Sequence, residues 1–293
     1  MFGKLTQQTK AHLLSLLLVI SMLGIWQVAT LPTKTTAPTD PIALEYEMLM
    51  GNIPEGTPAG ATLSTVQSDF PSPVNFAKIS LEHLSDPFYD KGPNDKGIGI
   101  QLAYSIVRVL AGFMLAMMVG IPLGYLLGIS QIANKAISPF IQLLKPISPL
   151  AWMPIALYTI KDANLSAVFV IFICSIWPML TNTAFGVASV RREWLNVART
   201  LEVDALTKAR KIVLPAAAPT IVTGMRISMG IAWLVIVAAE MLVGGTGIGY
   251  FVWNQWNNLS LGNVIFAVLM IGLVGMLLDL IFAKLQRKAS YTE

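Results

Sequence analysis

Long apolar stretches that carry almost no charge constrain this chain more than any other feature. A helix needs ~20 apolar residues to cross the hydrocarbon core of a bilayer. Six stretches of about that length or longer can be placed, at about residues 12–31, 99–129, 137–160, 165–187, 216–243 and 261–283. Only 12% of the 293 residues are charged, too few to cover a soluble protein of this size. The sequence therefore predicts an all-α polytopic membrane protein with six transmembrane helices in one domain.

The first stretch has two interpretations. Lys4 and Lys10 precede it, and a basic start followed by an apolar core is also typical of a cleaved signal peptide. The apolar run is longer than the core of most signal peptides, and no clear A-x-A cleavage site follows it. We therefore expect the first span to be retained.

Residues 32–97 differ from the rest of the chain. Nine prolines and many Gly, Ser and Thr residues fall here, a composition typical of loops. We expect a loop with little regular structure on one side of the membrane. Short amphipathic pieces at about 42–50 and 74–84 are expected to lie at the membrane surface.

Proline and glycine mark two of the later spans. The third span holds four prolines, which predicts a kinked or partly unwound helix: Pro139, Pro146, Pro149 and Pro154. The second span repeats the G-x-x-x-G spacing, which is typical of close helix packing: Gly120, Gly124 and Gly128.

The charges outside the spans are divided unequally. With both termini on the cytoplasmic side of an inner membrane, that side holds twelve Lys and Arg against four acids, and the other side holds five lysines against ten acids. This arrangement satisfies the positive-inside rule. The net charge of +4 is therefore explained by membrane topology, and we expect no nucleic-acid partner.

Several kinds of chemistry are excluded by composition. A single cysteine, Cys174, allows no internal disulfide and no cysteine-rich metal site, and the two histidines are far apart in sequence. No G-x-x-x-x-G-K-[ST] phosphate loop occurs, so we expect no nucleotide, metal or other cofactor on this chain. A membrane-embedded enzyme would need a cluster of His, Asp or Cys near one membrane face, which the sequence does not offer.

Charged side chains within spans are costly and therefore mark functional or paired groups. Five are present, namely Arg108, Lys145, Arg226, Glu240 and Asp279. We expect Arg108 and Asp279 to lie near span ends or to pair with other helices. Lys145 and Arg226 are candidates for attracting an anion, and the alternative for each is an ion pair with Glu240.

A charged stretch at 189–212 separates the fourth and fifth spans and is too polar to cross the membrane. Its apolar residues recur near helical spacing, at Trp194, Val197, Leu201, Ala205 and Ile212. The stretch resembles the E-A-A loop of ABC importer permeases. Residues 196–198 occupy the E-A-A positions, Glu202 occupies the position of the family's Gly, and the I-x-L-P ending is present at 212–215.

A wider resemblance covers about residues 70–285. The segments DPFYDKGPND, SPLAW and AWLVIVAAEML and the pair Trp253 and Trp256 resemble the nitrate, bicarbonate, sulfonate and taurine permease group of type I ABC importers, and within it the nitrate/nitrite transport permeases. The resemblance implies the type I importer permease fold, a homodimer around one path, and a periplasmic or lipid-anchored binding protein. It also implies two ATPase subunits, which would bind ATP and Mg and one of which would carry a regulatory domain like the binding protein.

The same resemblance implies which residues serve coupling, and the charged side chains within the spans indicate the translocation path. Docking of the ATPase subunits would fall on Asn196, Ala198, Arg199, Leu201, Glu202, Val203, Asp204 and Ala205. The translocation path would involve Lys145, Ser148, Trp152, Arg226 and Glu240. A permease for bicarbonate, cyanate or a sulfonate remains an alternative, as does a stand-alone anion channel or carrier.

Overall fold

A computed structural model describes residues 7–31, 33–49, 53–54, 56–66, 70–92 and 95–289. The chain forms two compact units. The smaller contains the residues up to Glu82 together with Leu259–Phe266, and the larger contains His83–Asn258 and the chain from Ala267 onwards.

The smaller unit contains more regular structure than the sequence predicts. Its elements are α1 (Gln7–Ala29), β1 (Thr33–Thr36), α2 (Pro41–Leu49), β2 (Thr62–Val66) and most of α3 (Pro73–Ser85). The two strands pair antiparallel, with Thr36 opposite Thr62. The expected amphipathic pieces are helices α2 and α3, and the two-stranded sheet is an addition that the proline-rich composition does not reveal.

The larger unit is helical. Its elements are α4 (Ile98–Ile129), α5 (Gln131–Leu144), α6 (Pro149–Ile160), α7 (Ala163–Ala188), α8 (Arg192–Thr200), α9 (Ala205–Lys208), a π-helical stretch (Ala209–Val213), α10 (Leu214–Val243) and α11 (Ile248–Asn257). Helix α12 (Leu261–Ala289) starts in the smaller unit and continues in the larger.

Five helical stretches in the described chain are long and apolar enough to span a membrane, and α5 with α6 makes a sixth if the bent pair counts as one span. The polytopic all-α class is therefore confirmed. The two helices of the pair meet at 94°. This break lies among the prolines of the third stretch, since Pro146 is one of the four residues that separate the two helices and Pro149 begins α6.

Glycines on α4 allow close packing against α7. A Cβ at Gly124 would lie 2.7 Å from the Thr183 Cβ, and one at Gly128 would lie 2.5 Å from the Val187 Cβ. On the other side of α7, a Cβ at Gly224 of α10 would lie 2.7 Å from the Asn182 Cβ. The packing role predicted from the G-x-x-x-G spacing is confirmed, and α7 is the central helix of this unit.

Candidate functional site

The segment between α7 and α10 is an exposed helix–turn–helix. Helix α8 ends at Thr200, the turn runs through Leu201–Val203, and α9 begins at Ala205. Leu201 and Leu206 keep 70% and 67% of their surface exposed although both are apolar. Exposed apolar side chains beside charged ones are typical of a surface that contacts another protein.

Glu202 occupies the one backbone conformation in this turn that favours glycine. Its φ is +50°, in the left-handed region. The Val203 N–H donates to the Ala198 carbonyl at 3.0 Å, and the Glu202 N–H donates to the Arg199 carbonyl at 3.1 Å. These two bonds form a Schellman motif, whose left-handed position is usually Gly. The family resemblance places Glu202 at a position where the family has Gly, and this left-handed conformation is the physical reason that glycine suits the position.

The predicted docking residues are mostly accessible. Ala198 is buried against the protein and Val203 is half-buried, and the other six are exposed: Asn196, Arg199, Leu201, Glu202, Asp204 and Ala205. Asp204 caps α9, because its carboxylate accepts the Thr207 N–H at 3.0 Å. Hydrogen bonds from the Thr207 side chain and backbone hold the pKa of Asp204 below its usual 3.8. The cap is therefore ionised at neutral pH.

Lys145 lies at the break in the third span. It ends α5, and three residues later Ser148 caps α6 by accepting the Leu150 N–H. Lys145 lines two cavities. One, of about 150 Å³, also involves Cys174 and Trp177, and the other, of about 350 Å³, also involves Thr181. Across residues 95–289, which the structure describes without a gap, the Lys145 ammonium has no ion-pair or hydrogen-bond partner.

A row of polar side chains leads along α5 to Lys145. Asn134, Ser138 and Gln142 line the larger cavity with it, and the Gln142 amide donates to the Ser138 hydroxyl at 3.3 Å. The spacing of four, four and three residues puts all four on one helix face. This row was not predicted from the sequence, although polar residues at helical spacing in an otherwise apolar stretch were a signal for it.

Ser148 and Trp152 flank the same break without lining either cavity. Ser148 is exposed and serves as the cap of α6, and Trp152, one turn further, is half-buried. Both are therefore near Lys145 in sequence, but neither contacts the two cavities that Lys145 lines.

Arg226 is paired, and its partner is Asp279 rather than Glu240. Its guanidinium donates to both carboxylate oxygens of Asp279, at 2.6 and 2.7 Å. It also donates to Gln286 at 3.2 Å. The two charged side chains remain 37% and 53% exposed.

Glu240 lies in a buried polar network and is 1% exposed. Its carboxylate accepts hydrogen bonds from Arg108 at 2.7 Å, from the Ser105 hydroxyl at 2.8 Å and from the Gly249 N–H at 3.0 Å. Arg108 also donates to the Thr246 carbonyl at 2.6 Å. The expectation that Arg108 pairs with another helix is confirmed.

The network fixes the loop between α10 and α11. Gln101 accepts the Gly247 N–H at 2.6 Å, and Ser105 accepts the Ile248 N–H at 2.9 Å. At Gly247 any Cβ would collide with the Glu240 carboxylate, and its φ of +156° favours glycine as well. Gln101 and Ser105 were not predicted from the sequence, because a buried amide and a buried hydroxyl leave no periodic signal.

Comparison with known proteins identifies one family. Residues 120–291, more than half of the chain, match the binding-protein-dependent transport system inner membrane component. The nitrate import permease protein NrtB of Synechocystis sp. is 45% identical over 219 residues, 75% of this chain and 80% of that protein. The bicarbonate transport system permease protein CmpB of Synechococcus elongatus is 44% identical over 70% of this chain and 74% of its own length.

Solved structures share the fold at low sequence identity. A chain of the MetNI methionine ABC transporter, in an inward-facing conformation, has a TM-score of 0.57 and 14% identity, covering 64% of this chain and 94% of its own. An amino acid ABC transporter chain has a TM-score of 0.55 and 12% identity, covering 75% and 99%. These likenesses show the fold, which is that of ABC importer permeases.

Proposed function

The chain belongs to the family of binding-protein-dependent transport system inner membrane components, and from that premise we propose that it is the permease subunit of an ATP-driven importer of nitrate or nitrite. As a member of this family it is a multi-pass membrane subunit of a transporter. Its similarity to a nitrate import permease over three quarters of its length supports the substrate.

The observation that carries the anion assignment is Lys145. It is a cation at a break in a spanning helix with no ion-pair or hydrogen-bond partner among the described residues, and it lines a cavity together with the amides and hydroxyl of Asn134, Ser138 and Gln142. Such a group attracts an anion and replaces part of its lost hydration. The few donors suit a small anion that must also leave again, because tight binding in the path would slow release.

Arg226 and Glu240 take a different part in this proposal. Both lie on α10, which follows the α8–α9 segment and the π-helical stretch, and each is already held in an ion pair. We therefore assign them to the moving wall of the path rather than to contact with the anion. Ser148 and Trp152 would shape the break beside Lys145.

Energy coupling in this proposal runs through the α8–α9 segment. Two copies of the chain would form one path, with an ATPase subunit docked on the exposed leucines of each segment. ATP and Mg would be bound by those partners, and a binding protein would deliver the anion on the opposite side. Both termini would be cytoplasmic, as the charge asymmetry favours.

The test of the substrate is uptake by vesicles that contain the whole complex, comparing nitrate, nitrite, bicarbonate and sulfonates. We expect nitrate or nitrite uptake that requires ATP, and we expect Lys145→Gln to reduce it strongly with the complex still assembled. Lys135→Gln is the matched control, because Lys135 is an exposed lysine of the same helix that lines neither cavity. Equal uptake by the two variants would refute the role of Lys145.

Bicarbonate is the second candidate, because the bicarbonate permease matches nearly as well as the nitrate permease. Preferential bicarbonate uptake in the same vesicles would establish it instead. Uptake that proceeds without any ATPase subunit would show a channel or carrier and overturn the importer proposal altogether.

The test of coupling is Leu201→Asp. A charge in the exposed apolar contact should release the ATPase subunits from the purified complex and abolish uptake while the chain still inserts. Leu201→Met keeps the apolar surface and should retain both properties. If the Asp variant co-purifies with its ATPase subunits and transports normally, this surface does not dock them.

A further inference from the structure

A cavity of about 490 Å³ lies beneath the α8–α9 segment, where α4 and α7 end and the π-helical stretch leads into α10. Its floor is apolar and belongs to the packed core, since Val187, Val190 and Val213 are all buried in one cluster. The cavity is separate from the two that Lys145 lines, with which it shares only Ala188.

The rim of this cavity is positively charged. Arg192 from the start of α8 and Lys208 from the end of α9 both line it, and no Asp or Glu does. Within the continuous stretch 95–289 neither cation has an ion-pair or hydrogen-bond partner. The Gln131 side chain and the Tyr125 ring also line the wall.

The position of the cavity along the spans indicates the headgroup level of the membrane. Helix α4 ends at Ile129 and α7 at Ala188, and both ends lie in or beside the lining. A site there meets acyl chains on one side and phosphate groups on the other. An apolar floor with two unpaired cations at its rim fits such an amphipathic anion better than a fully hydrated ion.

We propose that this cavity binds the phosphodiester headgroup of an anionic phospholipid, with Arg192 and Lys208 at the phosphate and the valine floor beneath the first acyl carbons. The exposed Leu201 and Leu206 do not line the cavity, so the site is distinct from the surface assigned to ATPase docking. One lipid phosphate would connect the first and last turns of the segment. The lipid would thereby hold the segment against α4 and α7.

The experiment measures lipid retained by the purified complex. The complex is taken from vesicles of phosphatidylglycerol and phosphatidylcholine, and bound lipid is counted by native mass spectrometry. We expect Arg192→Gln with Lys208→Gln to lower the preference for phosphatidylglycerol by roughly tenfold or more. Lys135→Gln with Lys284→Gln removes the same charge from exposed lysines outside the cavity and should leave the preference unchanged. The charge-conserving pair Arg192→Lys and Lys208→Arg should retain it.

Three results would overturn the proposal. The first is an equal loss of phosphatidylglycerol in the cavity variant and in its control. The second is displacement of the lipid by millimolar inorganic phosphate, which would assign the site to a free anion. The third is unchanged lipid binding with loss of the ATPase subunits in the cavity variant, which would assign the two cations to the docking surface.

Discussion

The two ends of α10 are held in opposite ways. At its C-terminal end, Glu240 is buried and accepts hydrogen bonds from a guanidinium, a hydroxyl and a backbone N–H. At its N-terminal end, the helix is preceded by a π-helical stretch and by the segment that exposes Leu201 and Leu206. The two ends are ~45 Å apart, because the helix has 30 residues.

The difference follows from the cost of burying charge. A buried carboxylate is tolerated only when an opposite charge and further donors satisfy it, so its position is specified by several elements at once. An exposed apolar segment has no such requirement, and it can move as a body when a partner moves it. In the proposed coupling, α10 would be held at its Glu240 end and would receive motion at the end that follows the α8–α9 segment.

The largest expected effect comes from breaking the anchored end. Glu240→Ala leaves Arg108, whose side chain is only 12% exposed, without its counter-charge, and the loss of one partner of a buried pair costs about 3–5 kcal/mol. We expect a correspondingly lower unfolding temperature of the purified chain. The control is the same substitution near the other end, Glu202→Ala, which removes an exposed carboxylate and should not change the unfolding temperature measurably. Similar unfolding temperatures for both variants would show that the two ends do not differ in this way.

The sequence revealed the spans more readily than the contacts between them. Apolar length, proline content and glycine spacing are local properties, so the six stretches, the broken third span and the close packing at Gly124 could be predicted. The partner of Arg226 could not, because Asp279 lies 53 residues away and their pairing depends on how α10 and α12 align. For the same reason the sequence left Glu240 as a possible ion-pair partner of Lys145 or Arg226, whereas in the structure it pairs with Arg108.

The smaller unit shows a related limit. Proline and glycine marked 32–97 as a region without spans, and its described residues contain none. Two amphipathic pieces in it were recognised. The sheet of β1 and β2 was not, because its two strands pair across 25 intervening residues that include helix α2. Lys145 and the turn between α8 and α9 carried local signals in the sequence, whereas Gln101 and Ser105 acquire their contacts only through packing.

A smaller effect is expected in the middle of α10, at the pair of Arg226 and Asp279. The chemistry is that of the buried pair, but both side chains are exposed, and exposed ion pairs contribute little to stability. We expect Arg226→Ala to lower the unfolding temperature far less than Glu240→Ala does. High salt should make the effect of Arg226→Ala, relative to the unsubstituted chain, smaller still. The reversed pair, Arg226→Asp with Asp279→Arg, should restore the original value. A loss as large as that of Glu240→Ala would show that the pair is shielded from water in the assembled membrane protein.

The smallest effect is expected in the turn between α8 and α9, and it should be stabilising. Glu202 adopts a left-handed conformation that costs a residue with a Cβ about 1 kcal/mol more than it costs glycine. Glu202→Gly should therefore make the Schellman turn open less often, and hydrogen exchange at the Val203 amide should slow several-fold. Leu206→Gly, within the short helix α9 that follows, is the control. Glycine in a helix loosens the backbone, so this substitution should speed exchange at the α9 amides. Faster exchange at Val203 in the Glu202→Gly variant would mean that the glutamate side chain, rather than the backbone bonds, holds the turn, and the N-terminal end of α10 would then be fixed by charge as its C-terminal end is.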